Sequence, residues 1–186
     1  MMKVIDTSIQ DIKLLEPKVF GDNRGWFLES FNKSIFDEVF NGYEFIQDNH
    51  SFSAKRNTLR GLHFQNNPMA QAKLVRCSRG KIFDVAVDIR KSSSTFGQWI
   101  GVELSEENKK QLFIPEGFAH GFLTLTDNVE IQYKVNQYYS PDDDRSILWN
   151  DPEIGISWPL LESEDIILSI KDKSALTLSK IDNNFI

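Results

Sequence analysis

From Ile82 to Ile89 the chain alternates without a break, with Ile82, Asp84, Ala86 and Asp88 on one side and Phe83, Val85, Val87 and Ile89 on the other. Period-two spacing marks a strand whose two faces meet different surroundings. Further short runs follow at Trp99–Leu104, Gln111–Ile114, Gly121–Leu125 and Glu130–Val135, separated by turn residues. Many short strands with little helix between them predict an antiparallel sandwich or barrel. One helix interrupts the pattern. Asn32 caps it, Ile35, Phe36, Val39 and Phe40 form one apolar stripe, and Gly42 ends it. In the stretch from Ser163 onward, a second short helix is expected over Ser174–Lys180, and the closing Asp182–Ile186 is expected to fray.

Length and composition narrow the class. A chain of 186 residues suits one domain, residues 1–186, which buries roughly 70% of its unfolded surface without disulfides or metals. Cys77 is the only cysteine, so an internal disulfide is excluded and a reducing compartment fits. With 21 Lys+Arg against 27 Asp+Glu the net charge is −6, which argues against a nucleic-acid binder but leaves room for a local cationic pocket. Asp6, Asp11 and Lys13 interrupt the start of the chain, so no secretory signal is expected. No apolar stretch approaches the roughly 18 residues of a membrane span. A cytoplasmic location is the expectation, with no membrane partner.

The chemistry rests on few residues. Of three histidines, His50, His63 and His120, two stand in telling surroundings. His63 lies in Leu59-Arg60-Gly61-Leu62-His63-Phe64-Gln65. In a regular strand Arg60 would lie on the face opposite His63, but a bulge at Gly61 would turn both into one cavity. His120 closes Pro115-Glu116-Gly117-Phe118-Ala119-His120, a tight turn that delivers a histidine onto the next strand. Arg24, Arg60 and Lys73 are cations suited to phosphate oxygens, or else ordinary surface charges. Tyr133 is a proton donor if it faces a site, and a core tyrosine otherwise.

The His120 turn resembles the second motif of cupin barrels, and His63 with Gln65 resembles the first, with glutamine in place of its second histidine. A closed metal-ligand set cannot be assembled from these residues, so no metal is expected. The ordered stretches Leu15–Gly25, Gln47–Ser51, Leu59–Gln65, Lys73–Cys77, Phe83–Arg90, Ile114–Phe122 and Ser146–Pro152 together resemble the dTDP-4-dehydrorhamnose 3,5-epimerase family over most of the chain, Val4 to Trp158. The resemblance implies a cupin-type jelly roll, mainly β, working as a homodimer without metal or organic cofactor. It also implies a nucleotide-linked 4-keto-6-deoxy sugar as substrate, inverted at carbons 3 and 5. By the same resemblance His63 is the base, Tyr133 the acid and Lys73 the partner of the enolate. Asp172 is the carboxylate that orients His63, with Asp84 as the other candidate. Phe20, Arg24, Glu29, Gln47, Asn49, Arg60, Lys73, His120, Asp144 and Lys171 match substrate contacts. Asp144 replaces a glutamate, which shortens its reach. Tyr138 and Tyr139 either stack on the thymine or pack at the rim. The competing readings are a mono-epimerase or isomerase of a related keto sugar, a metal-dependent cupin, and a non-catalytic sugar-nucleotide binding cupin.

Overall fold

A computed structural model describes residues 2–40, 42–160 and 165–186. Its frame is two antiparallel sheets. The six-stranded sheet runs in the order β1 (Lys3–Asp6), β2 (Lys13–Glu16), β10 (Gln111–Ile114), β7 (Lys73–Arg79), β12 (Val129–Val135), β5 (Gln47–Ser53). The five-stranded sheet runs β13 (Asp144–Ser146), β6 (Leu59–Gln65), β11 (Phe118–Thr124), β8 (Lys81–Asp88), β9 (Trp99–Ser105). A separate hairpin pairs β3 (Val19–Asp22) with β4 (Gly25–Leu28). This is the cupin-type jelly roll expected, and the five strands read from the periodicity fall at their expected places within a few residues.

Apolar packing holds three layers together. Between the sheets lie Val75, Ile82, Ala86, Leu104, Leu112 and Ile131, all nearly inaccessible. Helix α1 (Lys33–Val39) covers one outer face, where Phe36 and Phe40 pack on Leu15, Leu74 and Phe113. Asn32 caps it by accepting from the Ser34 and Ile35 amides. Val39 is exposed, so the buried stripe of this helix is narrower than expected: only one turn-spaced pair, Phe36 and Phe40, meets the sheet.

The C-terminal chain covers the outer face of the other sheet. Phe83, Val85 and Val87 of β8 pack there against Ile154, Leu178, Phe185 and Trp158. The closing residues are therefore pinned rather than frayed. Asn183 donates from its side chain to the Ile89 carbonyl, and Phe185 is buried. The expected helix over Ser174–Lys180 is not formed. That stretch is turns and a single bridge from Leu176 to Ile147. The helical turn falls just before it, as α2 (Ile170–Lys173). Ser169 caps α2 by accepting from the Asp172 amide, while Asp172 accepts from the Ser169 hydroxyl. Ser-x-x-Asp is the sequence signal that locates this turn. Ser163, at the start of that stretch, lies outside the described residues.

Candidate active site

Of the two arrangements open to this strand, the structure has the bulge at Gly61. In the β6–β11 pairing His63 stands opposite His120 and Arg60 opposite Phe122, so Gly61 and Leu62 face a single residue, Gly121. The two backbones meet closely there. A Cβ on Gly61 would lie 2.5 Å from Gly121 Cα, and Gly61 has φ +125°. Only glycine fits such an approach at such an angle. The extra residue brings Arg60 and His63 to the same cleft.

That cleft, about 560 Å³, lies between the sheets. From the five-stranded sheet come Arg60, His63, His120 and Asp144, and from the six-stranded sheet Lys73 and Tyr133. Lys171 and Asp172 of α2 complete it. His63 Nε2 is 2.6 Å from Asp172 Oδ1, although the two residues are 109 apart in the chain. Asp172 is 2% exposed. Burial alone would push its carboxyl up, but the contacts from His63, the Ser169 hydroxyl and the Gly61 amide together hold it below the usual carboxylate range. A carboxylate on Nε2 fixes the ring and assigns the tautomer with the proton on that nitrogen, which leaves Nδ1 to accept a proton. The other candidate for this partnership, Asp84, is engaged elsewhere: its Oδ1 is 2.8 Å from His120 Nε2.

Lys73 is buried, and burial lowers its ammonium to about 8 against the opposing pull of Asp84 and Asp144. Its Nζ reaches across from β7 to the His63 carbonyl, 3.4 Å away. Burial raises the Tyr133 phenol, with Arg60 opposing, so it stays protonated through neutral pH. Arg60 donates to Ser53 Oγ and to the Phe52 carbonyl. At the mouth, Asp144 Oδ2 accepts from Lys171 and from the Tyr139 hydroxyl. Tyr138 is exposed and does not line the cleft; its carbonyl accepts from Gln65. Gln65, standing where a cupin metal site has a histidine, spends its amide on loop backbone: it donates to Met69 and Tyr138 and accepts from Ser140. No group of three or more His, Cys, Asp or Glu gathers with metal-binding geometry among the described residues.

Five residues matched to substrate contacts do not line this cleft. Asn49, bonded to Gln47 at 2.9 Å, faces an adjoining hollow that shares Tyr133. Phe20 and Arg24 sit on the β3–β4 hairpin, where Arg24 pairs with Asp22. Glu29 follows that hairpin and lines a small hollow with Phe20. Single-residue reading missed Ser169 and the Gly61 amide as supports of Asp172, and Tyr139 as a partner of Asp144.

A jelly-roll cleft with a carboxylate-backed histidine, a buried lysine and a protonated tyrosine is that of an acid–base enzyme of the cupin type. Comparison with known proteins specifies it further. The family model for dTDP-4-dehydrorhamnose 3,5-epimerase matches residues 6–180. A relative of that name from Salmonella typhimurium is 59% identical over 181 residues, covering 97% of each chain. The solved structure of dTDP-6-deoxy-D-glucose-3,5-epimerase from Legionella pneumophila, in complex with dTDP-4-keto-L-rhamnose, superposes with TM-score 0.93 at 47% identity, covering 98% of this chain and 95% of that one. The structure of dTDP-4-dehydrorhamnose 3,5-epimerase from Bacillus anthracis, with TDP and PPi bound, gives TM-score 0.91 at 51% identity, covering 95% and 99%. The chain belongs to the dTDP-4-dehydrorhamnose 3,5-epimerase family.

Proposed function

We propose that this protein inverts carbons 3 and 5 of dTDP-4-dehydro-6-deoxy-D-glucose, giving dTDP-4-dehydro-β-L-rhamnose on the route to dTDP-L-rhamnose. Family membership supports the reaction. One observation supports the division of labour: His63 and Tyr133 enter the same cleft from opposite sheets. Inversion needs a base on one face of the sugar and an acid on the other. Both carbons adjoin the carbon-4 ketone, so their protons are acidified. His63 Nδ1 takes the proton, and Asp172 supports the imidazolium that results. Negative charge moves onto the carbon-4 oxygen, where the Lys73 ammonium offsets it. Tyr133 gives a proton to the opposite face. Arg60, His120, Asp144 and Lys171 hold the substrate from the cleft walls. Each step is assigned to a side chain, with no metal or organic cofactor.

The working unit proposed is a homodimer. Val19, Phe20, Trp26 and Phe27 leave the hairpin with a large exposed apolar surface, of the kind that marks an interaction site. Phe20, Arg24 and Glu29 serve substrate binding in this reading by reaching the cleft of a second copy. Mixing His63→Ala with Arg24→Ala subunits would then restore activity in a fraction of dimers, and mixtures that stay inactive would refute the exchange.

The reaction is tested by incubating chelator-treated protein with the 4-keto sugar nucleotide in deuterated water. The reading predicts loss of the NMR signals at carbons 3 and 5 with formation of the L-configured product. Loss at one carbon would make the protein a mono-epimerase. Tight binding without exchange would make it a binding module.

A further inference from the structure

The cleft carries a second histidine–carboxylate pair. His120 is the register partner of His63 across β6 and β11, and such partners project to the same face with Cβ atoms about 5 Å apart. Asp84 supports His120 from the next strand, β8. It is fully buried, and its Oδ2 has no hydrogen-bond partner among the described residues. Its neighbours on the same face of β8, Ile82 and Ala86, belong to the apolar core. A buried carboxylate with half its acceptor capacity unused lowers stability, and an apolar residue of similar size would pack there at less cost. Its charge therefore calls for another reason, and the Lys73 ammonium, whose Nζ lies 3.4 Å from the carbonyl of His63, the register partner of His120, supplies one.

We propose that Asp84 is a positioning residue, which fixes the His120 ring through Nε2 and attracts the Lys73 ammonium, so that the ring and the ammonium both face the substrate, the ammonium toward the oxygen that becomes charged. The inference rests on the epimerase reading for what the Lys73 donor meets. The carboxylate on Nε2 leaves Nδ1 of His120 to accept from a substrate hydroxyl, just as it leaves Nδ1 of His63 an acceptor. Asp84 is also the largest charge effect holding the Lys73 proton in place against burial, ahead of Asp144. The remaining charged or titratable groups around the cleft are Lys171 and Asp172 of α2, Arg60 and His63 of β6, Tyr133 of β12, and Tyr139. Asp84→Asn alters none of them. It also keeps an oxygen to accept from His120, so it removes the charge while sparing the ring's orientation.

The test reads Lys73 directly and does not depend on turnover. Lysine labelled at the ε-carbon is titrated by NMR in the parent and in Asp84→Asn, with the Lys73 signal assigned by its loss in Lys73→Met. The expected result is a midpoint near 8 in the parent and one lower by half a unit or more in the variant. In the epimerase assay kcat should fall roughly 10- to 100-fold, and the alkaline limb should move to lower pH by the same amount. Asp84→Ser, smaller and neutral, gives the same reading if the asparagine variant does not fold. An unmoved Lys73 midpoint in a folded variant overturns the proposal, and so does lost activity with the limb in place, which would assign Asp84 to packing alone. A parent protein that shows no exchange refutes the epimerase reading instead, and leaves the Lys73 titration to judge Asp84.

Discussion

His63 and Tyr133 face one cleft from opposite walls, His63 on β6 of the five-stranded sheet and Tyr133 on β12 of the six-stranded sheet. In the proposed reaction a planar enolate held between them would have a base on one side and an acid on the other. Inversion would then need no turning of the sugar between the two proton transfers.

The Asp172 carboxylate sets the His63 tautomer through a 2.6 Å contact. Asp172→Asn should keep the fold but lower kcat by roughly 100-fold or more, because the amide no longer supports the imidazolium. Deuterium exchange rates at carbon 3 give the comparison. A variant within threefold of the parent would remove Asp172 from the mechanism.

Activity should fall on the alkaline side as Lys73 loses its proton. Its ammonium is lowered to about 8 by burial, so the alkaline limb of kcat/KM is expected near that pH. Lys73→Arg keeps the positive charge, and whatever activity it retains should show no such limb. A pH–rate profile of both proteins checks this.

Lys73 also weakens the fold it serves. Its proton is held less tightly in the folded chain than in the unfolded one, where it titrates near the ordinary 10.5. Between these values the unfolded state binds more protons, so stability rises with pH across that window, and the full penalty applies below about 8. Lys73→Met should therefore be more stable at pH 7, by up to about 3 kcal/mol, while losing activity. The advantage should shrink from pH 8 upward. Urea denaturation at pH 7 and pH 10 measures both parts.

Gly61→Ala should cost about 2 to 4 kcal/mol, since its Cβ meets Gly121 Cα at 2.5 Å and φ is +125°. Any protein that folds should lose activity as well, because the bulge that turns Arg60 and His63 into one cleft would have to shift. A loss below about 0.5 kcal/mol would show that the backbone relaxes freely there.

Much of this was legible in the sequence because it rests on local pattern. The alternation at 82–89 marks a strand, Asn32 marks a helix start, and Gly61 leaves room for a bulge without requiring it. What was not legible depends on distant chain. The more apolar side of β8, Phe83, Val85 and Val87, does not face between the sheets, because the C-terminal segment covers it. That leaves Ile82, Asp84 and Ala86 turned inward, and places Asp84 beside His120 rather than His63. The same covering explains why Asp182–Ile186 is fixed: short polar segments fray unless a surface waits for them, and Phe185 finds one. Resemblance alone points to Asp172, whereas the local reason for its position is the Ser169 cap, which stands in the sequence as Ser-x-x-Asp. The hairpin residues Phe20 and Arg24 read as site residues, yet one chain does not bring them to its own cleft.

The most direct test of opposed walls is Tyr133→Phe followed in deuterated water. The phenyl ring preserves the packing and removes only the proton donor. The account predicts that deuterium still enters at carbon 3, returned by His63 to the face it was taken from, while inversion slows by roughly 100-fold or more. Inversion at the parental rate would contradict it, because the proton on the opposite face would then come from a group other than Tyr133.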